Sequence, residues 1–321
     1  MKREKGLLLH IGMIRGIAIL SLTLLVVALI PFVGPVVIIM TPLPIFYYFS
    51  QLGRIWGLAA LAAAYAVASG SLLLLGRPLP IMILFTIGMT GVMLAEVLRR
   101  RYPIGKTIAV ASVALFFFGT AALLHQAWLT GTDPWQLIAG YVEGVIGENL
   151  RLYGQMNVSP DQIKLIRENT PEITRFITGI FPALSLSGAI LTVWLNVLAG
   201  RLLLDRPGAS FTDFGDLATW KAPEKLVWLL IAAGGMVLAP WDLSVTVGMN
   251  LLIVCCLIYF FQGLAIASFL FKRKRVPVLL RWLFYLLLAL QQYMVIFVVA
   301  FGLFDIWVDF RKRIAGIDVQ T

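Results

Sequence analysis

Unbroken apolar runs of about 20 residues recur along this chain, and no other feature limits its fold so tightly. A helix rises about 1.5 Å per residue, so such a run matches a hydrocarbon layer of about 30 Å. Inside that layer every backbone N–H and C=O must find a partner within the protein, which leaves helices or closed barrels. A barrel wall alternates apolar and polar residues. The runs here do not alternate, so the spans read as helices. Composition agrees: 60% of the 321 residues are hydrophobic and 13% charged, with mean hydropathy +0.92. A soluble domain carries roughly 25% charged residues. The expected fold is an all-α polytopic transmembrane bundle of about nine spans, with the lipid bilayer as its solvent.

The net charge of +10 is distributed in short clusters beside the spans. Lys2, Arg3 and Lys5 precede the first, and Arg99, Arg100, Arg101 and Lys106 separate two more. Lys272 to Arg275 follow another, and Arg311 to Arg313 lie near the end. This is the pattern of the positive-inside rule, which places the N-terminus in the cytoplasm and argues against a nucleic-acid partner. The first run, Ile11 to Ile30, exceeds a signal-peptide core of about 7–15 residues and lacks a small-x-small cleavage site, so it reads as a retained span.

The order of spans suggests an organisation. Residues 1–204 read as a six-span core with an acidic, amphipathic external insertion at 131–172. Residues 205–224 read as a cytoplasmic loop, and 225–321 as C-terminal transmembrane helices. The second span carries Thr41-Pro42-Leu43-Pro44, and the two prolines predict a kink or unwound turn. The third carries Ala60, Ala64 and Ala68, a small-residue stripe for close helix contact. Glu96 precedes Arg99 and Arg100 at a spacing that predicts pairing along one helix. The turn Ala239-Pro240-Trp241-Asp242 predicts an antiparallel helix pair. The stretch from Pro277 to Val308 is too long for one span and too short for two; a single helix with Arg281 and Trp282 in the interface is slightly favoured over a hairpin bending near Gln291-Gln292.

Chemical signatures are few. There is no HExxH, GxSxG or Walker loop, and His10 and His125 stand alone, so no enzymatic role is expected. Cys255 and Cys256 are adjacent, which suits neither a disulfide nor a metal set, and no cofactor is expected. The candidate sites are polar or helix-breaking residues within apolar spans: Pro42, Pro44, Asn196, Asn250, Gln262, Asp305 and Asp309, with Gln291 and Gln292 beside them. Each polar group costs free energy in hydrocarbon and must find a partner, either a neighbouring helix or a bound substrate. Asp305 and Asp309 lie on one helix face, able to hold a cation or to pair with the arginines that follow.

Three stretches carry a family resemblance. They are Thr41-Pro42-Leu43-Pro44 with Gly53-Arg54-Ile55-Trp56-Gly57, then Phe261-Gln262-Gly263-Leu264-Ala265, then Gly302 to Arg311 (GLFDIWVDFR). Together they resemble the YybS-like family of bacterial multi-pass membrane proteins, over nearly the whole chain. That family is distantly similar to the substrate-capture subunits of energy-coupling-factor transporters. The resemblance implies a bacterial inner-membrane location, a ligand pocket opening outward between early helices, and docking to another membrane protein subunit. Gly12 and Gly16 stand where such subunits have alanine-spaced docking residues, and the last three spans have no counterpart in them. The expected function is a small-molecule-binding or transporter-like component; the alternative is a non-transporting scaffold for cell-envelope machinery.

Overall fold

Among the described residues the apolar runs are helical. A computed structural model describes residues 2–30, 39–76, 81–156, 159–204 and 215–315. Among these residues the regular structure is twelve α-helices and one short 3-10 turn, Leu217–Thr219. Five helices are long and apolar enough to cross a membrane: His10–Leu29, Pro42–Leu74, Ile104–Thr130, Thr170–Leu203 and Asp242–Arg273. A further candidate is the pair Val278–Leu290 and Gln292–Val308, bent by 109° at Gln291. Side chains such as Leu74 (91% exposed), Leu202 (82%) and Ile55 (80%) point away from the protein, as lipid-facing residues do. The span count of about nine resolves into fewer long helices for two reasons. The expected second and third spans run together as one helical stretch that turns back on itself at Gly53, and the expected seventh, Leu226–Val237, has 12 residues, only about 18 Å of rise.

The described chain forms two compact units, Met1–Leu137 with Gly188–Asp213, and Ile138–Ser187 with Phe214–Thr321. In the first, α1 (Lys2–Leu29) packs on α2 (Pro42–Leu74), α2 on α3 (Ile81–Arg99), and α3 on α4 (Ile104–Thr130). The alanine stripe is the seam: Ala60, Ala64 and Ala68 are fully buried, with Leu20 and Leu24 of α1 in the same clusters. Ser21 even reaches the Ala64 carbonyl at 3.4 Å, a distance that small side chains permit.

The helical path is interrupted twice: at Thr41, a turn residue between helical Ile39-Met40 and the helix that Pro42 opens, as the prolines predict, and more sharply at Gly53. Pro42 sits in the first turn, where its missing N–H has no helical partner to lose. Gly53 takes φ 81°, ψ 177°, a conformation essentially restricted to glycine. The chain turns back sharply there: a Cβ on Gly57 would lie 2.9 Å from the Phe49 Cα, although eight residues of straight helix span about 12 Å. Two basic side chains secure the break. Arg99 donates to the Phe49 carbonyl at 3.3 Å, and Arg54 grips Glu96 through both Nε and Nη2. Glu96 therefore pairs across helices rather than with Arg99 and Arg100 on its own, because the turn at Gly53 brings the Arg54 fork to it.

The second unit holds most of α5 (Pro134–Gln155), α6 (Pro160–Glu168) and the first half of α7 (Thr170–Leu204), which runs on into the first unit. It continues with α8 (Leu226–Val237), α9 (Asp242–Arg273), α10 (Val278–Leu290), α11 (Gln292–Val308) and α12 (Phe310–Ala315). On α5, Ile138 and Val142 are buried, while Glu143 and Glu148 are exposed, and so are Trp135 and Val145, which the sequence pattern groups with the apolar face. α8 and α9 make the expected antiparallel pair, with Ser244 bonded to the Met236 carbonyl at 3.0 Å. Past Pro277 the favoured single helix gives way to two, because Gln291 adopts extended backbone (φ −109°, ψ 103°).

Candidate functional site: buried amides and a buried ion pair

Pro182 opens the first of three polar sites. A proline inside a helix cannot donate to the carbonyl four residues back, and its ring forces the turn apart. Asn250 of α9 fills the gap: its amide donates to the Gly179 carbonyl (2.8 Å) while its Oδ1 accepts from the Ala183 N–H (2.8 Å). These are the two groups that an unbroken helix would join to each other. Asn250 is thus a side-chain splice in the backbone ladder of α7, and the partner of its amide is protein.

The second site joins two of the sequence motifs. Gly263 of α9 and Gly302 of α11 face one another: a Cβ on Gly302 would lie 1.9 Å from the Tyr259 carbonyl oxygen, and one on Gly263 2.0 Å from that of Val298. The helices touch backbone to backbone, which puts Gln262 beside Asp305. Both are 2% exposed. Gln262 donates to the Asp305 Oδ2 (3.1 Å) and accepts from the Ala222 N–H (3.0 Å). The other Asp305 oxygen accepts from the Phe310 N–H at 2.9 Å. Arg311 approaches the carboxylate at 3.8 Å and donates to the Trp220 carbonyl at 2.9 Å. Just outside, Asp309 pairs with Lys221 (3.1 Å) and Lys312 (3.4 Å), and Asp216 with Lys272 (2.5 Å).

This network latches the segment 215–223 onto the ends of α9 and α11. Burial pushes the Asp309 carboxyl up, but the adjacent Lys221 and Lys312 ammonium groups outweigh it and hold the group below the usual carboxylate range. Burial pulls the Arg311 guanidinium down, with Asp305 and Asp309 offsetting part of the effect. Both Asp305 oxygens are engaged, and Asp309 pairs with Lys221 and Lys312 through Oδ2, while its Oδ1 is buried without a hydrogen-bond partner among the described residues.

The third site lies in the first unit. Asn196 is fully buried and donates to the carbonyls of Ile39 (2.7 Å) and Thr192 (2.6 Å). It thereby secures the backbone just before Thr41-Pro42-Leu43-Pro44. Its Oδ1 is buried with no partner among the described residues. On the same helix α2, a cleft of about 240 Å³ opens between Ile19, Leu43, Pro44, Tyr47, Tyr48 and Leu203. Gln291 and Gln292 are exposed at the α10–α11 bend and join none of these sites.

Sequence reasoning found Asn196, Asn250, Gln262 and Asp305 from their polarity in apolar runs, but not their partners. Pro182, which gives Asn250 its role, carried a usable signal as a proline inside a long span. The carbonyls of Ile39, Gly179 and Trp220 carried none, since any residue supplies one.

The arrangement defines a helical integral membrane protein whose described helices are bridged by buried amides and a buried carboxylate–guanidinium pair. The chain belongs to the family described as predicted membrane protein (DUF2232), which matches residues 18–306. No curated protein and no solved structure matches it.

Proposed function

We propose that the protein is a membrane-embedded, non-enzymatic binding component of transporter-like character, with its ligand in the cleft beside the interrupted helix α2. The carrying observation is that cleft, lined by Pro44, Tyr47 and Tyr48 close to a helix start and 5–9 residues before the Gly53 break. Interrupted helices often line substrate sites in transporters, because the break frees backbone and makes room. At about 240 Å³ the cleft is below the ~300–1,000 Å³ of sites for drug-sized ligands, so a small and largely apolar molecule suits it. Kinship with YybS-like proteins and, more remotely, with substrate-capture subunits of energy-coupling-factor transporters is consistent with this reading. So is a bacterial inner-membrane location with a cytoplasmic N-terminus.

A second reading, a non-transporting scaffold for other membrane proteins, is favoured by one observation. Asn250, Gln262 and Asp305 are engaged by their own chain, as in a protein built to hold its shape. Thermal stability of the purified protein against a panel of small metabolites separates the two. A ligand that stabilises the wild type but not Leu43→Trp, which fills the cleft, supports binding. No stabilising ligand, together with a stoichiometric protein partner cross-linked in cells, supports the scaffold.

A further inference from the structure

Two corners of the molecule, one in each unit, repeat one design. The first is Arg99-Arg100-Arg101-Tyr102-Pro103-Ile104 between α3 and α4; the second is Arg273-Lys274-Arg275-Val276-Pro277-Val278 between α9 and α10. In both, three consecutive basic residues are exposed, the next residue is half-buried, and the proline opens the following helix. The prolines adopt nearly the same backbone, φ −53°, ψ 149° and φ −54°, ψ 145°. Four residues after each, a side chain donates to the carbonyl preceding the proline: Thr107 to Tyr102 at 3.1 Å, and Arg281 to Val276 at 2.8 Å.

The third basic residue is the informative one. Arg101 and Arg275 take φ of 51° and 50°, the left-handed conformation at a helix end, and their N–H groups bond back to Leu98 (3.1 Å) and Lys272 (3.2 Å). Glycine fills that position without strain, whereas a Cβ there is crowded. This chain does use glycine at the helix ends that the charge rule places outside, Gly76 (φ 64°) and Gly131 (φ 62°). It uses arginine at the two basic corners, which that rule places inside. Strain retained at matched positions points to a function for the side chain. Neither guanidinium bonds to another described residue, and Arg101 sits beside Tyr102, an aromatic suited to headgroup depth, with Lys106 over its ring at 4.3 Å.

We propose that these two corners are matched binding sites for the phosphate of anionic phospholipid headgroups at the cytoplasmic leaflet. The guanidinium fork meets two phosphate oxygens at once, and the neighbouring cations add attraction to a negative surface. The proposal is independent of what the α2 cleft binds.

The test is native mass spectrometry of the full-length protein released from neutral detergent with phosphatidylglycerol or phosphatidylcholine. Arg101→Gly and Arg275→Gly are each expected to weaken phosphatidylglycerol binding at their own corner by about fivefold, roughly what one juxtamembrane cation contributes, so that each single variant loses one of two retained lipids and the double variant both. Phosphatidylcholine retention is expected to stay unchanged. The glycine variants are also expected to melt higher than wild type in lipid-free detergent, because the left-handed strain is gone. Arg101→Gln and Arg275→Gln, which keep the Cβ, are expected to lose the lipid preference without that gain. Glycine and glutamine variants that keep the full preference for phosphatidylglycerol would overturn the proposal. So would displacement of the lipid by millimolar inorganic phosphate, which would assign the corners to a soluble anion.

Discussion

Replacing Gly302 with alanine tests the packing of the second unit more sharply than any other single change. In a helix interior the substitution is ordinarily favourable by about 1 kcal/mol, since alanine loses less backbone entropy than glycine. Here the new methyl would sit 1.9 Å from the Tyr259 carbonyl oxygen and 2.9 Å from the Gly263 nitrogen, both backbone atoms that no rotamer change can move. A tolerable carbon–oxygen contact is about 3.3 Å, so α9 and α11 must separate locally by roughly 1.4 Å. A gap of that size forfeits a large share of the dispersion contacts along the seam. It also stretches the 3.1 Å bond from Gln262 to Asp305, one residue from Gly263. The expected net loss is about 3 kcal/mol, the upper end for overpacking and well above the propensity gain. The comparison is Gly144→Ala on exposed α5, where nothing lies within 4 Å of the new methyl and a gain of up to about 1 kcal/mol is expected. Equilibrium unfolding of both variants in mixed micelles, followed by tryptophan fluorescence, gives the two signs directly. If Gly302→Ala matches or exceeds wild-type stability, the backbone contact between α9 and α11 is refuted.

Asp305→Ala should cost about 3–5 kcal/mol, because it leaves Arg311, 8% exposed at its side chain, buried without its anion. Asp305→Asn, which keeps one oxygen for the Phe310 N–H, should cost less, and the same unfolding assay ranks them. Asn250→Ala should cost about 1–3 kcal/mol by stranding the Ala183 N–H and Gly179 carbonyl. Adding Pro182→Ala should recover much of that loss, since α7 can then close its own ladder; a purely additive double variant would contradict the splice. The last prediction concerns acid. Asp309 has a folded-state pKa below its unfolded value, so its contribution is complete above the unfolded pKa of about 3.9 and fades as pH falls through the lower folded one. Amide exchange of residues 215–223 should therefore rise below that range in the wild type, and the rise should be largely absent in Lys221→Met, whose anchor is already gone at neutral pH.

Much of this molecule is legible in its sequence. The spans follow from apolar run length, and the alanine stripe at 60, 64 and 68 is buried because α1 can approach only where side chains are small. Asn196, Asn250, Gln262 and Asp305 stand out because hydrocarbon penalises each of them unpaired. The misplaced features share one cause. The prolines at 42 and 44 mark the turn at Thr41 where α2 opens, but nothing marks the sharper break at Gly53, which comes from a backbone angle that composition does not display. Glu96 had suitable partners nearby in sequence, and its partner is 42 residues away because α2 turns back.

The sequence by itself determined the class: run length against bilayer thickness, and the need to pair every backbone group in lipid, allow only a helical membrane protein. Tertiary structure alone decided the partners. Asn250 answers a backbone gap at Pro182, Gln262 and Asp305 meet because glycines 263 and 302 let two backbones touch, and Arg311 closes on carbonyls of the 215–223 segment. Carbonyl oxygens and contact distances are common to every residue, so the pattern of side chains cannot announce them; only the packed chain brings them together.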